Sequence, residues 1–222
     1  MRELWIPPPL VITEELGVRR ASTATIAYYA GAVSILFLLF SSLQGAATLI
    51  EERHAGILDR IAVGSSGSDV VVLGKFLFLT VQGIIQVALI FLVAALLHDL
   101  DVARHFGAWL AITIVAAAAA AGIGLAAASA CTSKQQAQTI STFVLLVSSA
   151  LGGSMVPRFM MPPWLQDIGW YTPNAWAIEA YYGILWRDEP ARELLPELSL
   201  LGVVALLALG TSIVVSRWRL SL

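Results

Sequence analysis

Two stretches of the 222-residue sequence gather side chains with the types and spacing for specific chemistry. The first, Glu51-Glu52-Arg53-His54-Ala55-Gly56-Ile57-Leu58-Asp59-Arg60-Ile61, is charged at its start and then places Ile57, Leu58 and Ile61 at i, i+1 and i+4. On a helix these three share one face, flanked by Arg53, Asp59 and Arg60. Such a short amphipathic helix either lies in the lipid headgroup region or docks its apolar face into a partner protein. Gly64-Ser65-Ser66-Gly67-Ser68 then breaks it. The second stretch, Phe159 to Trp186, holds eight of the 20 aromatic residues: Phe159, Trp164, Trp170, Tyr171, Trp176, Tyr181, Tyr182 and Trp186. Trp and Tyr favour a membrane–water boundary, where the ring and its polar tip are both satisfied. Glu179 is embedded among these apolar residues, and an ionisable group at membrane depth is costly unless paired or wetted, so Arg158 or Arg187 is its expected partner. It serves either a gate or substrate role, or sits at headgroup level.

Other chemistry is missing from the sequence. The run from Gly67 to Lys75 has the wrong spacing for a phosphate loop and carries Phe76 where a hydroxyl belongs. No nucleophile-elbow or zinc-protease pattern occurs. His54, His98 and His105 do not fall together, so no metal site is expected. A lone cysteine, Cys131, excludes an intrachain disulfide and reads as a small helical residue.

The elements that must position these stretches follow from composition. Hydrophobic residues make up 58% and charged residues 13%, against about 25% charged in soluble domains, and the mean hydropathy is +0.81. The net charge of -2 gives no sign of nucleic-acid binding. The apolar residues fall in five blocks, Ile26 to Ile50, Val70 to Leu97, Phe106 to Ser133, Thr139 to Val156 and Leu198 to Ser216. Each is long enough, or nearly so, for the ~20 residues a spanning helix needs, and none shows the alternation of a barrel strand. The fold class expected is therefore all-α: a polytopic membrane protein with five transmembrane helices, a short amphipathic helix, and re-entrant helices in the aromatic stretch, where three interior prolines and Asp167 oppose one straight span. Residues 1–25 read as an extracytoplasmic or interfacial segment and 26–222 as the transmembrane domain. In the third block Gly122 and Ala126, and Gly124 and Ala128, stand four apart, spacing that lets helix backbones approach closely. Whether the neighbour is the same chain or a second copy is open at this point. Gln44, Gln82 and Gln86 read as interhelical hydrogen-bonding groups.

Five spans put the termini on opposite sides. One side holds Arg53, Arg60, Lys75, Lys134, Arg217 and Arg219 on short segments; the other holds Arg2, Arg19, Arg20, Arg104, Arg158, Arg187 and Arg192 on segments about twice as long. The higher basic density makes the first side cytoplasmic, with the N-terminus outside and the C-terminus inside. A charged N-terminal stretch exported without a preceding span suggests that an upstream helix is missing.

The run EERHAGILDRI, a small-residue turn and then LGKF resembles the cytoplasmic coupling segment of the ABC-2 type transporter permeases. Glu52, Arg53, Gly56, Leu58, Ile61, Gly74 and Lys75 match its pattern. Ile57 stands for the usual threonine, Asp59 for glutamate, and Gly64-Ser65 for threonine-proline. VPRFMMPPWLQDIGWYTPNAWAIEAYYGILW resembles the family's later segment at Pro157, Met161, Pro162, Leu165, Gln166, Ile168, Pro173, Trp176 and Ala177. The resemblance runs from about Tyr29 to the C-terminus; in the family one more helix, often with an extracytoplasmic domain, precedes this region.

That resemblance implies a permease subunit of an ATP-driven transporter in the plasma membrane, with a lean to export. It is not itself an enzyme and carries no cofactor, ATP and Mg being held by a separate ATP-binding subunit. Glu52, Arg53, Gly56, Ile57, Leu58 and Ile61 become the expected docking residues. Pro157, Pro162, Trp164, Pro173, Trp176 and Glu179 become an outer cap over the translocation path, and a second permease copy or homologous half becomes a partner. The competing reading is an ATPase-independent membrane enzyme or assembly factor with a site near the outer leaflet.

Overall fold

The computed structural model describes residues 8–55, 67–98 and 100–220. Among them every regular element is helical: α1 (Pro8–His54), α2 (Gly67–His98), α3 (Phe106–Ala130), α4 (Lys134–Gly152), α5 (Pro163–Gly169), α6 (Pro173–Leu185) and α7 (Leu195–Leu220), with 3-10 turns at Ala103–His105, Arg158–Met160 and Ala191–Leu194. Four segments are long and apolar enough to cross a membrane, Thr23–Arg53, Asp69–His98, Ala103–Ala130 and Ala191–Trp218. At ~1.5 Å per residue, each 28- to 31-residue segment exceeds the ~30 Å hydrocarbon core. They correspond to the first, second, third and fifth apolar blocks.

The fourth block differs. Its helix, α4, has 19 residues and is not among the four candidates, because it opens on Lys134, Gln135, Gln136 and Gln138 and carries Ser and Thr along its length. It also stops at Gly152 rather than Val156. Gly153 takes a left-handed φ of 97°, and Ser154 and Met155 donate back to Ser149 O, a helix end that only glycine adopts at little cost. The first block is likewise the apolar part of one longer element: α1 is a single helix from Pro8, so the expected N-terminal segment is helical from that residue onward.

α3 is the hub. Thirteen of its 25 residues are buried, and its densest contacts are with α7 and α1. The small residues explain why. A methyl placed on Gly124 would lie 2.7 Å from Ser42 O of α1, and one on Gly122 would lie 3.0 Å from Ala205 O of α7. Residues two apart point about 200° away from each other round a helix, so one alanine-glycine helix admits a close neighbour on each side. The close neighbours of the small-residue spacing are thus helices of the same chain. Dispersion between close backbones is what holds helices together where lipid is as apolar as leucine. Polar groups add to it: Gln86 Oε1 of α2 accepts from Ser41 Oγ of α1 at 2.7 Å. Thr113 Oγ1 of α3 donates to Trp109 O at 2.7 Å and so accepts from Tyr181 Oη of α6 at 2.8 Å. The outward residues Tyr29, Val33, Phe37 and Phe40 on α1, and Leu77, Phe78, Val81, Ile85, Leu89, Leu92 and Leu96 on α2, are exposed apolar side chains suited to lipid.

Candidate functional site

The C-terminal ends of α1 and α7 and the N-terminal ends of α2 and α4 meet at one end of the bundle, and ion pairs tie them. Lys75 Nζ lies 2.6 Å from Glu52 Oε1, joining α2 to α1, and Lys134 Nζ lies 2.6 Å from Glu51 Oε1, joining α4 to α1. Arg217 Nε lies 2.9 Å from Asp69 Oδ1, and its Nη2 also meets Asp69 Oδ2, joining α7 to α2. The pairs are not equivalent. Lys75 keeps 16% of its side chain exposed and Glu52 32%, so that pair is screened less than the exposed Lys134–Glu51 pair, which contributes little to stability. Lys75 lies inside an apolar span, and pairing with Glu52 is what makes its charge tolerable there. Ser133 caps α4 by accepting from Gln136 N at 3.1 Å, while Gln136 Oε1 accepts from Thr132 N at 2.9 Å. The side chain of Gln136 thereby fixes the short turn between α3 and α4.

The other end carries the proline-broken segment. Beyond Gly153 the chain makes the 3-10 turn at Arg158, then α5 and α6, each opened by a proline in its first turn (Pro163 and Pro173). Thr172 caps α6 by accepting from Ala175 N. Tyr28 of α1 fastens this segment to the bundle: its Oη donates to Gly153 O at 2.9 Å and accepts from Arg158 N at 3.0 Å. Arg158 Nη2 donates to Gln166 O at 3.2 Å, and its guanidinium lies 4.7 Å from the centre of the Trp170 ring. Glu179 sits between two arginines, with Oε1 2.7 Å from Arg187 Nη1 and Oε2 4.0 Å from Arg158 Nη1. Burial alone would lower the Arg187 pKa, but the Glu189 and Glu179 carboxylates outweigh it and hold the guanidinium above its ordinary value. Arg187 therefore stays charged, and Glu179 is neutralised by contact rather than left as an isolated charge among apolar residues.

No group of three or more His, Cys, Asp or Glu side chains among the described residues could hold a metal ion. At the end that holds Glu51 and Glu52 the charged contacts join separate helices, and at the other they join α6 to the residues that flank it. Residues 6–214 match the family model for ABC-2 family transporter protein, nearly the whole chain. The chain belongs to the ABC-2 transporter family. No curated protein matches it. Membership makes this a membrane subunit of transport, a multi-pass permease of the kind that works within an ABC transporter alongside an ATP-binding subunit.

Within this ABC-2 permease the expected docking residues divide. Glu52 and Arg53 occupy the last turn of α1 rather than opening a separate helix, whereas Gly56, Ile57, Leu58 and Ile61 lie outside the described residues. The expected cap residues are brought together but not in one environment. Pro162 and Trp164 are exposed, Pro173 and Glu179 are half-buried, and Pro157 and Trp176 are buried. Trp176 and Tyr181 are packed in the helix core, so these two of the eight aromatics are core rings rather than boundary anchors; Tyr171, by contrast, is 83% exposed. Sequence reasoning missed Tyr28, which no local pattern distinguishes from Tyr29. It also missed the partners of Lys75 and Lys134, although a lysine inside an apolar block was signal enough to look for a carboxylate on a neighbouring helix end.

Proposed function

We propose that this chain is the permease subunit of an ATP-driven exporter in the plasma membrane, moved by a separate ATP-binding subunit that docks on residues 51–61. In this reading α4 is a fifth, polar span, the C-terminus is cytoplasmic, and two permease bodies pair with two ATP-binding subunits. Gly56, Ile57, Leu58 and Ile61 present the docking face; Glu52 and Arg53 join it to α1. The observation that carries the reading is the position of Glu51 and Glu52, at the start of that segment and paired at 2.6 Å with α4 and α2 respectively. A displacement of the segment is thereby delivered to three helices at once. ATP can shift an inward–outward equilibrium only through contacts that differ between the two states, and a charged junction between helix ends is a contact of that kind. At the opposite end, Pro157, Pro162, Trp164, Pro173, Trp176 and Glu179 form the cap that closes the path. Its ion pairs with Arg158 and Arg187 support a closed resting state.

The test is Leu58→Asp. The variant is expected to insert and fold as wild type but to lose its ATP-binding subunit during co-purification and, with it, transport-linked ATP hydrolysis. Retained co-purification with full hydrolysis overturns the docking assignment.

A further inference from the structure

Where the span Ala103–Ala130 begins, a cavity of about 490 Å³ opens between the residues just before α3 and the C-terminal end of α6 with the residues that follow it. Asp101, Arg104, His105 and Asp188 form its polar lining, and Ile184, Leu185 and Trp186 its apolar lining. Arg104 and His105 belong to the first turn of the span Ala103–Ala130, and the end of a membrane-spanning helix lies near the lipid headgroups. Its volume lies in the range of built small-molecule sites.

The charges inside are arranged rather than scattered. Arg104 Nη2 lies 2.9 Å from Asp188 Oδ2, and His105 Nε2 lies 3.0 Å from Asp188 Oδ1. Asp101 Oδ1 accepts from Arg104 N at 3.1 Å. Asp188 takes a left-handed φ of 57°, the one described non-glycine residue that does so, a conformation that aspartate tolerates better than most residues but still at a cost. Side-chain exposures of 65% for Arg104 and 51% for Asp188 mean that their pair adds little to folding. These groups can therefore exchange each other for a ligand without loss of the fold. Two carboxylates face one guanidinium and one imidazole, so a purely anionic ligand leaves the carboxylates unmatched. A ligand with both charges and a hydrocarbon side satisfies every part of the lining.

We propose that this cavity binds the headgroup of phosphatidylethanolamine, with the phosphate at Arg104 and His105, the primary ammonium at Asp101 and Asp188, and the glycerol and upper chain along Leu185 and Trp186. A primary ammonium brings three N–H donors to the carboxylates; a quaternary choline brings none, and phosphatidylglycerol brings no cation. The site does not depend on the docking of an ATP-binding subunit and stands or falls separately from it.

The experiment is thermal unfolding of the purified full chain in detergent, titrated with phosphatidylethanolamine, phosphatidylcholine or phosphatidylglycerol of identical acyl chains, and with soluble glycerophosphoethanolamine. Phosphatidylethanolamine is expected to raise Tm more than the other two lipids, and the soluble headgroup to give the smallest shift. Asp101→Asn keeps an oxygen for the Arg104 N–H and so preserves the turn, but it is expected to weaken phosphatidylethanolamine about tenfold, the loss of one charge-assisted contact. Arg104→Gln is expected to weaken it similarly. Equal shifts from all three lipids, an unchanged preference in both variants, or a soluble headgroup as effective as the lipid overturns the proposal.

Discussion

The sharpest structural prediction concerns Gly124→Ala. The added methyl would sit 2.7 Å from Ser42 O and 2.9 Å from Ser42 C, both backbone atoms of α1. Ordinary contact begins at 3.4 Å, so the two helices must separate by about 0.7 Å, and a close-packed interior does not absorb that locally. No rotamer change relieves it, because the obstacle is main chain. Overpacking of this kind costs about 1–3 kcal/mol, offset by up to about 1 kcal/mol from replacing a helical glycine, and the size of the main-chain overlap puts the net loss towards the upper end of about 0–2 kcal/mol. Gly122→Ala meets Ala205 O at 3.0 Å and Ala208 Cβ at 3.1 Å, a smaller overlap that leaves its net effect near zero to about 1 kcal/mol destabilising. Gly210→Ala on α7 meets nothing within 4 Å and should be neutral or slightly stabilising. Thermal or denaturant unfolding of the three variants in one detergent should therefore rank them Gly210→Ala, Gly122→Ala, Gly124→Ala from most to least stable. A Gly124→Ala protein as stable as Gly210→Ala, or less perturbed than Gly122→Ala, refutes the packing of α3 against α1.

Two further predictions address the two ends of the bundle. Glu52→Gln leaves the Lys75 ammonium, 16% exposed, without its carboxylate and should cost about 1–3 kcal/mol; the double variant Glu52→Gln with Lys75→Met should recover most of that in the same unfolding assay, and failure to recover it would show that the pair is not the cause. Tyr28→Phe removes the hydroxyl that donates to Gly153 O and accepts from Arg158 N; it should cost about 1–3 kcal/mol and accelerate limited proteolysis within residues 153–172, whereas Tyr29→Phe, on an exposed ring, should change neither.

The helical class, four apolar spans and the proline-broken run of short helices were legible in the sequence because each depends on local composition: runs of leucine, alanine and valine, and prolines at Pro157, Pro162 and Pro173. The fourth apolar block was less legible because hydropathy and hydrogen bonding compete there. The Ser and Thr residues of α4 are compatible with a helix but lower its apolar character below that of its neighbours. The ion pairs were least legible. Lys134 meets Glu51 across 83 residues and Arg217 meets Asp69 across 148, and such pairings follow from the order in which helices pack, which no local spacing encodes. Glu179 was the intermediate case: the cost of an ionisable group in apolar surroundings pointed to Arg158 and Arg187 as partners, and the geometry brings both within 4.0 Å. The reverse held for the aromatic residues. Ring chemistry suggests a boundary anchor, yet Trp176 and Tyr181 lie on the face of α6 that packs against the bundle, so the helix phase overrides the preference of the ring.

The coupling claim is most directly tested by site-directed labelling. Cys131 is the single cysteine and is buried, so Leu58→Cys in a Cys131→Ala background gives one reporter thiol. A membrane-impermeant maleimide is expected to label it only from the cytoplasmic face, in inverted vesicles, and bound ATP-binding subunit is expected to protect it. Labelling from the outside, or equal labelling with and without that subunit, would mean that residues 51–61 do not dock the ATP-binding subunit.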